Sequence, residues 1–222
     1  MSKPITAQEK TEIRKQKILE TATEIFAAKG FHETTISEIA KSAAISEASV
    51  YDYYSTKENI LFSIPSMHMK NLLTELEFHL QLIRGSLNKL HASLYMQLHY
   101  YNEHPDFAAV LLLILKNNRR FIDTEAHIEI RNTLKIIDKI IEEGIQSGEF
   151  SSDINANYVR IFLLGALEHI VINWLIRQKP NNLMDAFEPL FEIVLKIVQK
   201  DKKMPDCPLI VREEGKINHV CY

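Results

Sequence analysis

The sequence predicts an all-α protein, and three observations carry that prediction. Apolar residues recur at three- and four-residue spacing along most of the 222-residue chain, the period of a helix with one buried face. Gly (6) and Pro (7) are scarce, and several of them fall where a helix should end rather than inside one. Ser, Thr, Asp or Asn recur just ahead of the apolar stripes, in places with Glu three positions on, the spacing of a capping box. Nine helices are expected, three within residues 1–55 and the rest within residues 56–202, followed by a tail at 203–222 that breaks the helical pattern.

The first helix is expected from about Ala7 to Lys29. Ile18, Leu19, Ala22, Ile25 and Phe26 form its apolar stripe, Gly30 stops it, and Phe31 packs back beneath the next two helices. Thr35 caps a second helix, with Glu38 at capping-box spacing and Ile36, Ile39 and Ala40 on one face. The chain then turns at Ala43, Ala44 and Ile45. Ser46 caps a third helix, Glu47 to about Tyr54, with Ala48 and Val50 inward. Ser55 and Glu58 form another capping-box pair. Two short helices joined by a tight turn make a helix-turn-helix, which lays its second helix in the major groove of DNA.

The fourth helix starts near Thr56, so no Gly- or Pro-rich loop separates the helix-turn-helix from the rest. Pro65 removes a backbone donor and predicts a kink or break near residues 61–64. The pattern resumes through Leu72, Leu73, Leu76 and Leu80 and stops at Gly85. A fifth helix runs from about Leu87 to Glu103. His104-Pro105 ends it, and Pro105 opens a sixth, about 105–117. Asp123 or Thr124 caps a seventh, which reaches Ser147 and stops at Gly148. Asp153 caps an eighth, to about Gln178, and a ninth spans roughly Asn182 to Lys200. In the tail, apolar and polar residues alternate around Glu214-Gly215, which fits either a short hairpin or a disordered terminus.

Composition narrows the function. A hydrophobic share of 46% is ample for a core, and a net charge of −3 means that any nucleic-acid binding must rest on a local patch. Near the start, Lys3, Lys10, Arg14, Lys15 and Lys17 outweigh Glu9, Glu12 and Glu20. Residues 1–20 are too polar for a secretory signal, and the apolar run Val159 to Ile176 contains Arg160, Glu168, His169 and Asn173, so no membrane association is expected. Two cysteines, Cys207 and Cys221, fit a reducing cytoplasm. His91, His99 and His104 lack metal-ligand spacing, and no nucleophile elbow, phosphate loop or HExxH stretch occurs. No enzyme, metal or cofactor is expected.

From Lys17 to Leu61, KILETATEIFAAKGF followed by TTISEIAKSAAISEASVYDYYSTKENIL resembles the TetR family of transcriptional regulators. The family pattern is an amphipathic helix ending in Gly-aromatic, then T-[TI]-x-x-I-A, then V-S-x-[GA]-[ST]-[LV]-Y-x-[HY]-F-x-[SN]-K-E-x-L. Three positions depart from it. Ala44 replaces the usual turn Gly and must either take positive φ or close the turn differently, Tyr54 replaces Phe, and the acidic Glu47 opens the recognition helix. The resemblance implies double-stranded DNA as partner, with Ser49 and Tyr53 reaching base edges or nearby phosphates and Ser46 and Glu47 also at the DNA-binding surface. It implies phosphate contacts from Thr35, Tyr51 and Lys57. The alternatives are that Tyr51, Tyr53 and Tyr54 are core aromatics, and that the motif binds protein.

The last two helices are apolar on most sides, so they need a second packing surface, most simply a second copy of the chain. Phe162, Leu167, Ile170, Trp174, Phe187, Leu190, Phe191 and Val194 are the candidate homodimer interface. Between them and the helix-turn-helix, Met69, Leu73, Leu98, Tyr101, Leu111, Leu112 and Leu115 would line either a solid core or an effector cavity. Lys116, Arg119 and Arg120 follow an apolar run at an expected helix end, where they complement the dipole or grip an anionic head group. Residues from about Arg119 to Trp174 resemble, more weakly, the acyl-CoA-sensing regulators of fatty-acid degradation. That likeness makes fatty acyl-CoA the leading effector, with another hydrophobic or aromatic compound as the alternative.

Overall fold

A computed structural model describes residues 6–199, 209–213 and 216–220. Lys3, Glu214-Gly215, Cys207 and Cys221 lie outside the described residues. The body is helical throughout. α1 (Ala7–Lys29) opens with a capping box in which the Thr6 amide donates to Glu9 at 2.7 Å and the Glu9 amide donates to the Thr6 hydroxyl at 3.2 Å. It ends at Gly30, with φ 86°. α2 (Ile36–Ala43) carries the Thr35–Glu38 capping box, and α3 (Glu47–Tyr53) is capped by Ser46. Ala44 takes φ 54° and ψ 43°, so the turn keeps its left-handed geometry with a Cβ present, at a cost of about 1–2 kcal/mol. Val50 is fully buried, but Ala48 is exposed: a seven-residue helix has one inward face, and Val50 fills it.

α4 (Lys57–Leu82) departs from the sequence reading in two ways. Its cap is Thr56, whose hydroxyl accepts the Asn59 amide at 3.0 Å, rather than Ser55 paired with Glu58. The helix also runs through Pro65 without a break, ending at Leu82 ahead of Gly85. Neighbouring helices hold it: Ile60, Leu61 and Ile64 are fully buried against them just before the proline.

α5 (Ser86–Glu103) has no side-chain cap of its own. The Glu149 carboxylate supplies one from a distant loop, accepting the Ser86 and Leu87 amides at 2.7 and 3.0 Å. α6 (Pro105–Ala109) starts at the proline as expected, but Val110–Leu115 continues it as a π-helical turn. A short α7 (Arg119–Ile122), absent from the sequence reading, precedes α8 (Glu125–Gln146), which Thr124 caps. Asn155 rather than Asp153 caps α9 (Ala156–Arg177), because its side chain is the one that reaches the Tyr158 amide, at 3.2 Å. A 3₁₀ turn (Leu183–Ala186), capped by Asn182, leads into α10 (Phe187–Val198). Beyond it, β1 (Leu209–Glu213) and β2 (Lys216–Val220) pair antiparallel, Leu209 opposite Val220.

One core joins both halves. α1 packs on α2, α4 and α6, while α8 packs on α4, α5 and α9. α4 therefore touches the helix-turn-helix at one end and the regulatory helices along its length.

Candidate nucleic-acid interface and effector cavity

The helix-turn-helix surface is set by three capped helix ends, at Thr35, Ser46 and Thr56. Thr35 donates its amide and hydroxyl to the Glu38 carboxylate at 2.9 and 3.0 Å, and Lys29 holds that carboxylate at 2.5 Å. The Lys29 ammonium first, and then the Thr35 amide, hold Glu38 at a pKa of about 2. On α3, Glu47 is exposed, Tyr51 is half-exposed at 50%, and Ser49 and Tyr53 are half-buried. The Ser49 and Ser46 hydroxyls lie 2.8 Å apart. Tyr54 is half-buried, and burial, followed by the nearby Glu12 charge, pushes its phenol up to about 12.

Lys57 has a task that the sequence reading missed. Its ammonium donates to the carbonyls of Phe31, His32 and Thr34 at 2.6, 3.3 and 2.6 Å and sits 4.4 Å above the Phe31 ring. Rather than projecting freely toward phosphate, it ties the first turn of α4 to the loop that presents Thr35.

The second site is a cavity of about 400 Å³ enclosed by α4, α5, the π-helical turn, α7, α8 and α9. Of the expected residues, Met69, Tyr101, Leu111, Leu112 and Lys116 line it. Leu73, Leu98 and Leu115 do not, and Leu98 and Leu115 are fully buried core residues. Arg119 and Arg120 are not at its wall either: both are exposed, and Arg120 grips Glu58 on α4 at 2.7 Å. The short α7, with the Asn118 side chain capping the Arg120 amide at 3.0 Å, turns these two arginines away.

In their place the wall presents His127 and Arg131 from α8, and Arg160 and Glu168 from α9. His127, Ile130, Arg131, Leu134 and Ile137 fall at three- and four-residue spacing, so a helical projection of α8 would have put them on one face. Lys116 pairs with Glu168 across the wall, and Arg160 pairs with Asp138 at 2.8 Å. The Nδ1 atom of His127 is buried with no hydrogen-bond partner among the described residues.

The candidate dimer residues divide. Leu167, Phe187, Leu190, Phe191 and Val194 are buried inside the protomer, so they cannot supply the outer surface. Ile170 and Trp174 are half-buried, and Phe162 is 52% exposed. The free face of α9 is a stripe through Tyr158, Phe162, Gly165, His169, Ile172 and Ile176, with exposed Ile193 on α10. α9 is long and apolar enough to cross a membrane, yet its opposite face, Val159, Leu163, Leu167 and Val171, is seated in the core.

A helix-turn-helix head continuous with a cavity-bearing helical body is the architecture of a ligand-responsive, DNA-binding transcriptional regulator rather than that of an enzyme. Residues 18–64 match the family described as bacterial regulatory proteins, tetR family, and residues 66–197 match the YsiA-like protein, C-terminal region. The chain belongs to the TetR family of transcriptional regulators. It is 25% identical over 181 residues to the fatty acid metabolism regulator protein of Bacillus subtilis (strain 168), spanning 80% of this chain and 92% of that protein. It is 26% identical over 197 residues to a probable acrEF/envCD operon repressor of Escherichia coli (strain K12), spanning 86% and 89%. Its fold matches FadR from Bacillus subtilis in complex with stearoyl-CoA at TM-score 0.77 and 24% identity, over 83% of this chain and 99% of that one. FadR from Bacillus halodurans matches at TM-score 0.71 and 23% identity, over 81% and 97%.

Proposed function

We propose that this chain is a homodimeric, cytoplasmic repressor released from a pseudo-palindromic operator by an amphipathic acyl compound, with fatty acyl-CoA the leading candidate. The carrying observation is the cavity. Its 400 Å³ falls within the 300–1,000 Å³ or so of typical ligand sites, Met69, Leu72, Leu76, Leu134 and Ile137 give it apolar walls, and Lys116, Arg131 and Arg160 give it cations. An acyl chain fits the first feature and an anionic head the second. The relative crystallised with stearoyl-CoA supports the same class of ligand.

In this reading residues 1–55 bind DNA and residues 56–202 bind effector and partner. Ser46, Glu47, Ser49 and Tyr53 face the bases, and Thr35 and Tyr51 face phosphate. A second copy covers the apolar stripe on α9, where exposed Gly165 lets backbones approach closely. A two-fold pair of recognition helices would read half-sites about one helical turn, roughly 34–36 Å, apart or somewhat more. The test is titration of acyl-CoA of increasing chain length into a complex of the protein with an operator selected from genomic fragments. Release by long-chain but not short-chain acyl-CoA is expected. If no acyl-CoA displaces DNA while an aromatic or other hydrophobic compound does, the effector assignment is wrong and the regulator assignment stands.

A further inference from the structure

Resting on that reading of the cavity, we propose that Glu168 is its resident anion: it occupies Lys116 in the effector-free protein, and an incoming acid group must displace it. Glu168 is the one carboxylate among the described residues that line the wall. It is 21% exposed, and its partner Lys116 is 51% exposed, so the pair lies where the cavity meets solvent. Lys116 ends the π-helical turn, its amide donating to the Leu111 carbonyl at 3.0 Å, while Glu168 belongs to α9. The pair thus bridges the cavity wall and the helix that carries the free apolar stripe.

The remaining cations show why this carboxylate matters. Arg160 is already held by Asp138 at 2.8 Å and by the Asn157 side-chain oxygen at 2.7 Å. Arg131 has no carboxylate partner among the described residues. An anionic head group entering the mouth therefore meets one open cation, Arg131, and one cation guarded by a removable anion, Lys116. Partial burial disfavours the Lys116 charge, and the Glu168 carboxylate lies against it. Once a phosphate or carboxylate takes Lys116, Glu168 repels it unless the side chain swings out to water, beside Gly165, His169 and Ile172. Glu168 is a specificity-determining residue that raises the effector concentration needed for a response, and it does so only against anionic effectors.

Removing a rival carboxylate should strengthen binding. Dissociation constants of wild type, Glu168→Gln and Lys116→Gln are measured for stearoyl-CoA, stearate and the uncharged stearoyl-pantetheine. Glu168→Gln should bind the anionic probes about fivefold more tightly, the factor that roughly 1 kcal/mol gives, and should leave stearoyl-pantetheine unchanged. Tightening confined to stearate identifies a free carboxylate as the natural head, and tightening confined to stearoyl-CoA identifies a phosphate. In the Lys116→Gln background the Glu168 substitution should have no further effect. Unchanged or weaker anion binding by Glu168→Gln, or equal tightening for the uncharged probe, overturns the inference while the effector reading stands. A wild-type protein that binds none of the three overturns both.

Discussion

Lys57→Met is the substitution that most directly separates two roles for one side chain. The stem is kept and the ammonium is lost. With it go two short hydrogen bonds, to Phe31 and Thr34 at 2.6 Å, a longer one to His32 at 3.3 Å, and the cation held 4.4 Å above the Phe31 ring. Hydrogen bonds to a charged group contribute about 1.5–3 kcal/mol, and a partly exposed cation–π contact about 0.5–1 kcal/mol. Lys57 is half-buried and the freed carbonyls can recruit water, so the sum is discounted to about 2–3 kcal/mol. Urea unfolding followed by circular dichroism at fixed protein concentration measures that loss, the fixed concentration being needed because association shifts apparent stability. DNA binding supplies the second readout. If Lys57 contacted a phosphate, its removal would reduce the salt slope of operator affinity by about 1. The observed tie instead predicts weaker DNA binding with the slope unchanged, because the loop that presents Thr35 loosens. A variant as stable as wild type whose salt slope drops by about 1 would refute the structural role.

Two further perturbations test the scaffold. Glu38 has a folded-state pKa of about 2, below its ordinary 4.5, so its stabilising contribution is complete above pH 4.5 and fades as pH falls toward 2. A carboxyl NMR titration should find its midpoint near 2 and find it raised in Lys29→Ala; a wild-type midpoint near 4.5 would show that the Lys29–Glu38–Thr35 chain does not form. Gly144→Ala would place a Cβ 2.2 Å from the Phe150 ring, which is only 1% exposed, and should destabilise the protein by about 1–3 kcal/mol. Phe150→Leu in the same chain should recover part of that loss, and a Gly144→Ala melting curve equal to wild type would contradict the packing.

Local signals were readable in the sequence, and distant ones were not. The capping box at Thr35 and Glu38, the stop at Gly30, the Pro105 start and the Thr124 cap depend on residues within a turn of each other, so spacing was enough to find them. The capping of α5 by Glu149 joins residues 62 and 63 positions apart, and no local pattern announces it. The π-helical turn at Val110–Leu115 is apolar throughout, which hides its period. The same limit misplaced Arg119 and Arg120. Their neighbours made them look like the rim of a cavity, but the intervening Asn118 starts a new helix and rotates them outward. It also misassigned the dimer residues: an apolar helix shows that two surfaces exist, but only the packing of Leu167, Leu190 and Val194 shows which surface is already taken.

The reassigned Arg120 bears on how cavity and DNA communicate. A hundredfold loss of operator affinity on effector binding requires a coupling of about 2.7 kcal/mol. The Arg120–Glu58 bridge joins α7, whose Phe121 and Ile122 line the cavity, to the first turn of α4, yet Arg120 is 74% exposed, and such pairs contribute at most about 1 kcal/mol. The larger share must come from packing. Phe121, next to Arg120, is 2% exposed, lines the cavity, and stands 5.7 Å from the Phe62 ring on α4. Met69, Leu72 and Leu76 of the same helix form part of the wall. Because α4 continues through Pro65, a ligand pressing on Met69 acts on a rod whose start, Lys57, lies about 18 Å away at 1.5 Å per residue. The bonds from Lys57 to the loop before Thr35 then carry that displacement to α2, on which α3 is packed. In the proposed regulator the continuity of α4 is therefore what carries the signal, with the exposed arginine bridge a minor contributor.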